Sequence, residues 1–224
     1  GTLRLWKVDG TSLEVLIGHT NAVKGAVELS DGRLLSWSED KTLRLWSSDG
    51  SMLAILTGHA SEVSGALELS DGRLLSWSKY ENTLRLWEVD GMVSLMLTGH
   101  TSGVSGALEL SNGRLLSWSK YENTLRLWGG GGTEIATLAG HTQGVLGAIK
   151  LRNGWLLSWS EDWTLRLWEV DRVWFIPVTG HMDAVTGVLT LSDGRFLSWS
   201  GDEYLVRLSR DKKLTLWTAD GIAQ

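Results

Sequence analysis

All five histidines of this chain follow a glycine: Gly18-His19, Gly58-His59, Gly99-His100, Gly140-His141 and Gly180-His181. They recur at intervals of 40, 41, 41 and 40 residues. Imidazoles at equivalent points of repeated units could converge on a metal ion or supply general acids and bases. A second repeated set of titratable groups is Glu28, Glu68 and Glu109, matched by Lys150 and Thr190 in later copies. A ring of carboxylates could hold a cation, but a set that mixes acid, base and hydroxyl reads more simply as solvated residues. There is no cysteine, so thiolate ligands, thiol nucleophiles and disulfides are excluded.

The elements that position these groups are themselves periodic. The segment TLRLW begins at Thr2, Thr42, Thr83, Thr124 and Thr164, ending in Trp6, Trp46, Trp87, Trp128 and Trp168. A second series, SWS, places Trp37, Trp77, Trp118, Trp159 and Trp199 at the same spacing. The two series hold ten of the 14 tryptophans; Trp217 ends a degenerate copy of the first, leaving Trp155, Trp163 and Trp174. Glycines Gly25, Gly65, Gly106, Gly147 and Gly187 recur as well, where a close approach to an axis or a bulge favours a missing side chain. Within one unit, residues 22–57 alternate apolar and polar side chains in four runs, AVKGAVELS, RLLSWS, TLRLW and MLAIL. Turn residues separate them: Ser30-Asp31-Gly32, Glu39-Asp40-Lys41 and Ser48-Asp49-Gly50. Four short strands cannot bury their own faces, so the units must pack on one another.

Repeats of about forty residues, with Gly-His near the start and LxLW near the end, resemble the WD-repeat β-propeller. The resemblance covers nearly all of the 224 residues. It implies an all-β fold of four-stranded antiparallel blades. Five units, about 18–57, 58–98, 99–139, 140–179 and 180–221, would follow an N-terminal half-blade, 1–17, in a single propeller domain. The near-identical copies resemble recently amplified bacterial members that form sensor or scaffold modules. The Trp-Asp dipeptide that names the family is absent; Trp is followed by KVDG, SSDG, EVDG, GGGG or EVDR. In the last unit VRLS, Val206 to Ser209, aligns with LRLW and sets Ser209 in the place of Trp. The strand total does not divide by four. The chain is then a fragment, or residues 1–17 complete the blade begun by 184–200 with 203–217 displaced, or incomplete blades are shared in a homo-oligomeric or larger ring.

The resemblance also assigns the histidines a structural role. It implies a hydrogen-bonded set of His19, Asp40, Ser36 or Ser38, and Trp46, and likewise of His141, Asp162 and Trp168. In the units of His59 and His100 the turn is KYEN, Lys79 to Asn82 and Lys120 to Asn123, so Glu81 or Asn82 must substitute for Asp in the first of them. With every histidine so used, no catalytic residue, metal site or cofactor is expected.

Function on a repeat scaffold belongs where the copies differ. The turn between second and third strands reads EDK, KYEN, KYEN, EDW and GDEY, and holds Tyr80, Tyr121, Trp163 and Tyr204. Aromatic anchors flanked by Lys79 and Lys120 have the composition of a protein interface. The expected function is a non-catalytic protein–protein interaction scaffold or sensor module, with a partner on the rim formed by these turns. The alternative is a multivalent glycan-binding propeller using tryptophan grooves between blades. The net charge of −5 argues against nucleic acid. No apolar run is long enough to span a bilayer, and a cytoplasmic location is expected.

Overall fold

A computed structural model describes residues 1–88, 90, 92–201, 214–218 and 221–222. Among the described residues the protein is all-β with no α-helix, and no helix is long and apolar enough to cross a membrane. The chain divides into two compact units. The first comprises residues 1–104 with 130–133, the second residues 105–129 with 134–224.

In the first unit, β1 (Thr2–Trp6) and β2 (Ser12–Ile17) form a two-stranded sheet. A four-stranded sheet follows from β3 (Val23–Glu28), β4 (Leu34–Ser38), β5 (Leu43–Trp46) and β6 (Met52–Leu56). The next contains β7 (Gly65–Glu68), β8 (Leu74–Trp77), β9 (Thr83–Trp87) and β10 (Val93–Thr98). Each sheet is an antiparallel meander in chain order, as the short turns require. The third strand β5 is buried along its length, flanked by β4 and β6. Leu35, Leu43, Leu45 and Leu56 of one sheet pack with Val63, Leu74 and Trp87 of the next. Face-to-face burial of this kind contributes about 1.5–3 kcal/mol per large apolar side chain, which a lone meander cannot obtain.

The second unit repeats the scheme. One sheet contains β11 (Gly106–Glu109), β12 (Leu115–Trp118), β13 (Thr124–Trp128) and β14 (Glu134–Ala139). Another contains β15 (Val145–Lys150), β16 (Leu156–Ser160), β17 (Leu165–Glu169) and β18 (Trp174–Val178), with a 3-10 turn at Val170–Arg172. The last described sheet has three strands, β19 (Val185–Thr190), β20 (Phe196–Ser200) and β21 (Leu214–Trp217).

That last sheet corrects the alignment of VRLS with LRLW. The strand beside β20 is Leu214–Trp217, in the register Phe196↔Trp217 and Trp199↔Leu214. The same register joins β4 to β5, Leu34↔Trp46 and Trp37↔Leu43. LTLW retains the two leucines and the tryptophan that fill a third-strand position, whereas VRLS retains one leucine; side-chain identity decided the pairing, not spacing. The place beside β20 offered to residues 1–17 is held by β21, and β1–β2 is a sheet of its own. Val206 to Ser209 lie outside the described residues.

The repeated glycines have a different cause from the one expected. Gly25, Gly65, Gly106, Gly147 and Gly187 each pair across the ladder with a second-strand tryptophan, Trp37, Trp77, Trp118, Trp159 and Trp199. In every pair the indole occupies the space that a Cβ on the glycine would need. A register shift also precedes Gly25, Gly147 and Gly187, but none precedes Gly65 or Gly106. The cross-strand ring is the feature common to all five.

Candidate functional site

All five histidines are buried, and in His19, His59 and His141 both ring nitrogens are engaged in a hydrogen-bonded relay. His19 Nδ1 lies 2.8 Å from Asp40 Oδ2, and its Nε2 lies 2.8 Å from Ser36 Oγ. The carboxylate can only accept, so Nδ1 carries the proton. Nε2 then accepts from the Ser36 hydroxyl, whose oxygen accepts the Trp46 indole N–H at 2.9 Å. Ser38 is used elsewhere, donating to the Ala22 carbonyl at 2.9 Å and accepting the Asp40 N–H at 3.0 Å. The second unit repeats the set: His141 to Asp162 and to Ser158, each 2.8 Å, and Trp168 N–H to Ser158 at 2.8 Å.

Burial lowers His19 and His141 below the ordinary imidazole value, against the opposing pull of Asp40 and Asp162. Burial also works to raise Asp40, but the Thr42 hydroxyl, the Thr20 N–H and His19 outweigh it and hold the carboxyl at about 2. Neutral imidazole beside ionised carboxylate is the state that satisfies every donor and acceptor.

The KYEN turn solves the loss of Asp with a longer side chain. Glu81 reaches His59 Nδ1 at 3.2 Å and accepts the Ser61 N–H at 2.7 Å, while His59 Nε2 and Trp87 Nε1 both meet Ser76 Oγ at 2.8 Å. In the second unit, Trp128 donates to Ser117 at 2.9 Å. In the last sheet, Ser198 Oγ lies 2.7 Å from His181 and accepts the Trp217 N–H at 2.6 Å. Among the described residues no three His, Asp or Glu side chains converge as metal ligands.

What remains free of these commitments lies in the turns between second and third strands. Tyr80 and Tyr121 are each 63% exposed and Trp163 is 51% exposed. Lys79 Nζ lies 5.1 Å from the Tyr80 ring centre and Lys120 Nζ lies 5.2 Å from that of Tyr121, within cation–π range. Lys79 also pairs with Glu62 at 3.1 Å. Within the second unit the structure places Tyr121 and Trp163 at the same end of successive sheets, the end of the β12–β13 and β16–β17 turns. Tyr80 holds the equivalent place, between β8 and β9, in the first unit. Tyr204 lies outside the described residues.

Two features of these turns were not anticipated. Trp163 has φ +69°, in the left-handed region, as does Lys41 (φ +70°) at the matching turn position. Bulky side chains rarely occupy that region. The KYEN turns also dock backbone to backbone: Val145 N–H bonds both Ser119 and Glu122 carbonyls, at 3.1 and 3.0 Å, and a Cβ on Gly144 would overlap the Lys120 carbonyl. The signal was present in the sequence, because Gly103 and Gly144 follow the two KYEN turns while the entries after EDK and EDW carry Glu62 and Ala184.

The geometry lends no support to the alternative of sugar-binding tryptophan grooves, although Trp199 of the same series is 40% exposed. Trp37, Trp77, Trp118 and Trp159 are half-buried over their glycines, and the Trp37 ring N–H is buried without a partner. That is packing geometry.

Comparison with known proteins agrees with the blade geometry. Residues 10–47 match the model of the WD domain, G-beta repeat. The crystal structure of the WD40 β-propeller domain of Doa1 superposes with a TM-score of 0.67 at 26% identity, over 88% of this chain and 68% of that one. The structure of U3-55K superposes with a TM-score of 0.71 over 92% of this chain; at 22% identity the likeness is one of fold, and this chain spans 64% of its length. No curated protein matches the sequence significantly. Domains of this fold generally mediate protein–protein interaction and are generally non-catalytic scaffolds. Residues 10–47 are thus similar to a WD40 repeat, and the four-stranded sheets have the fold of WD40 β-propeller blades.

Proposed function

We propose that this chain is a non-catalytic interaction module that binds a protein partner through the turns between second and third strands. Tyr121 and Trp163 act as anchors in the second unit, and Tyr80 in the first. Lys79 and Lys120 flank the tyrosines, and Tyr204, outside the described residues, is the aromatic at the matching place in the sequence of the last repeat. The observation that carries this reading is Trp163: an indole half in water, on a left-handed backbone, at a turn position where the first unit carries Lys41 in the same conformation. Strain retained at an exposed aromatic favours recognition over packing. Rigid aromatics beside long cationic side chains supply contact area at low entropic cost and a polar surround.

The test is a pull-down from source cells with the wild-type chain and with a Tyr80→Ser, Tyr121→Ser, Trp163→Ser variant, alongside their thermal melts. The variant should keep its melting temperature within a few degrees and lose the partners that wild type retains. The same partners retained by a folded variant would remove these turns from consideration.

A further inference from the structure

At the opposite end of the second unit's sheets, a cleft of about 340 Å³ opens between the turns β11–β12 and β15–β16. Its volume falls in the range of ligand sites, and its residues depart from the repeat in one chemical direction. In the first unit the matching place is filled from within. Ser30 N–H and Ser30 Oγ donate to the two carboxylate oxygens of Glu68 at 2.7 and 2.8 Å, a bidentate grip. Ser111 is the counterpart of Ser30, and Lys150 is the counterpart of Glu68, opposite Leu156 as Glu68 is opposite Leu74. The donors are kept, the acceptor is gone, and a cation stands in its place.

Two more acids are neutralised around the same cleft. Where Asp31 and Asp71 precede Gly-Arg in the first unit, the second unit has Asn112 and Asn153. The acids that remain are occupied, Asp171 by Arg114 at 2.6 Å and Glu169 by Arg172 at 3.4 Å. Among the described residues the side chains of Ser111 and Lys150 have no hydrogen-bond or ion-pair partner. Trp155 lines the cleft where the other copies have Arg, and its ring packs edge-on against Trp174, which is 52% exposed.

We infer that this cleft receives a glutamate side chain from an acidic peptide segment of a partner protein, gripped by Ser111 and Lys150, with the next apolar residue against Trp155. The glutamyl carboxylate that Ser30 already holds is the model for the ligand. A strand-borne glutamate is what the serine turn is shaped to accept. Lys150 adds the charge that makes the hydrogen bonds charge-assisted; the Asn112 and Asn153 amide oxygens already accept from Arg114 and from the Trp155 N–H, which leaves their NH2 groups as donors to a peptide backbone.

The test uses fluorescence anisotropy with a fluorescein-labelled hexapeptide, Gly-Ser-Glu-Leu-Ser-Gly, and its Gln counterpart. Binding to wild type is expected, and the Gln peptide should bind about tenfold more weakly or worse. Lys150→Glu restores the residue of the first three copies, gives Ser111 an internal acceptor and should abolish binding without unfolding the chain. A Tyr121→Ser, Trp163→Ser variant should bind as wild type does, which separates this site from the turns at the other end. The inference is overturned by no anisotropy change up to about 1 mM protein, by equal affinity for the Gln peptide, or by undiminished binding to Lys150→Glu. Glutarate displacing the peptide at equal molar affinity would overturn the peptide in favour of a free dicarboxylate.

Discussion

Gly25 and Trp37 face each other across the β3–β4 ladder, and the indole fills the volume that any side chain at position 25 would require. The ring packs against the core of Leu35, Leu43 and Leu45 with its N–H enclosed, so retreat would cost that packing. Glycine and tryptophan therefore form one packing unit, copied five times. Gly25→Ala should destabilise the protein by about 1–3 kcal/mol through overpacking. Urea unfolding will measure it, and the decisive comparison is the same substitution in a Trp37→Ala background, where the cost should largely vanish. Additive costs would mean that the two residues do not share the space.

Such pairs show where the sequence was legible and where it was not. The strand pattern, the turns and the meander follow from local alternation and turn chemistry, so residues 22–57 read correctly as four strands. The glycine and tryptophan series share one period, yet nothing local says that the partner of Gly25 is twelve residues away across a turn. The docking of Gly144 on Lys120 was hidden for the same reason: it joins two successive sheets of the second unit, and its trace is a covariation between copies. The third strand of the last sheet was misplaced because VRLS arrives at the regular spacing, while LTLW, eight residues later, carries the side chains that the core of Leu165, Leu167 and Phe196 demands. The exposed aromatics were legible because they depart from the repeat.

The imidazole relay predicts a two-stage loss of stability in acid. His19, His59 and His141 are held low by burial, so the unfolded chain takes up protons first as pH falls through about 6.5, and stability declines from there. Asp40, held at about 2 against the ordinary 3.8, gives its contribution in full above the ordinary value and loses it between there and about 2. The urea midpoint should be flat near neutrality and fall in these two windows. Asp40→Asn should cost about 1–3 kcal/mol at neutral pH and shrink the second stage. A midpoint unchanged between pH 7 and 5 would contradict neutral buried imidazoles.

Trp163 holds a backbone conformation that favours Gly or Asn. Trp163→Asn should therefore leave stability unchanged or raise it by up to about 1 kcal/mol, because half the indole is in water and little burial is lost. Thermal melts of the two proteins decide the matter. A loss of more than about 2 kcal/mol would show that the indole packs for stability, and would take away the argument for its role in recognition.

Trp6 and Trp217 end copies of the same motif and should respond very unequally to removal. Trp217 lies beside Phe196 on β20, donates to Ser198 and is 1% exposed. Trp6 ends β1 in a two-stranded sheet and is 56% exposed. Trp217→Ala leaves a cavity and strands the Ser198 hydroxyl that His181 shares, so it should cost about 3–5 kcal/mol. Trp6→Ala removes a side chain that is mostly in water and should cost less than about 1 kcal/mol. Chemical denaturation of the two variants separates a residue that seals a core from a copy of the same residue that lacks one. Equal losses would mean that Trp6 is buried in solution.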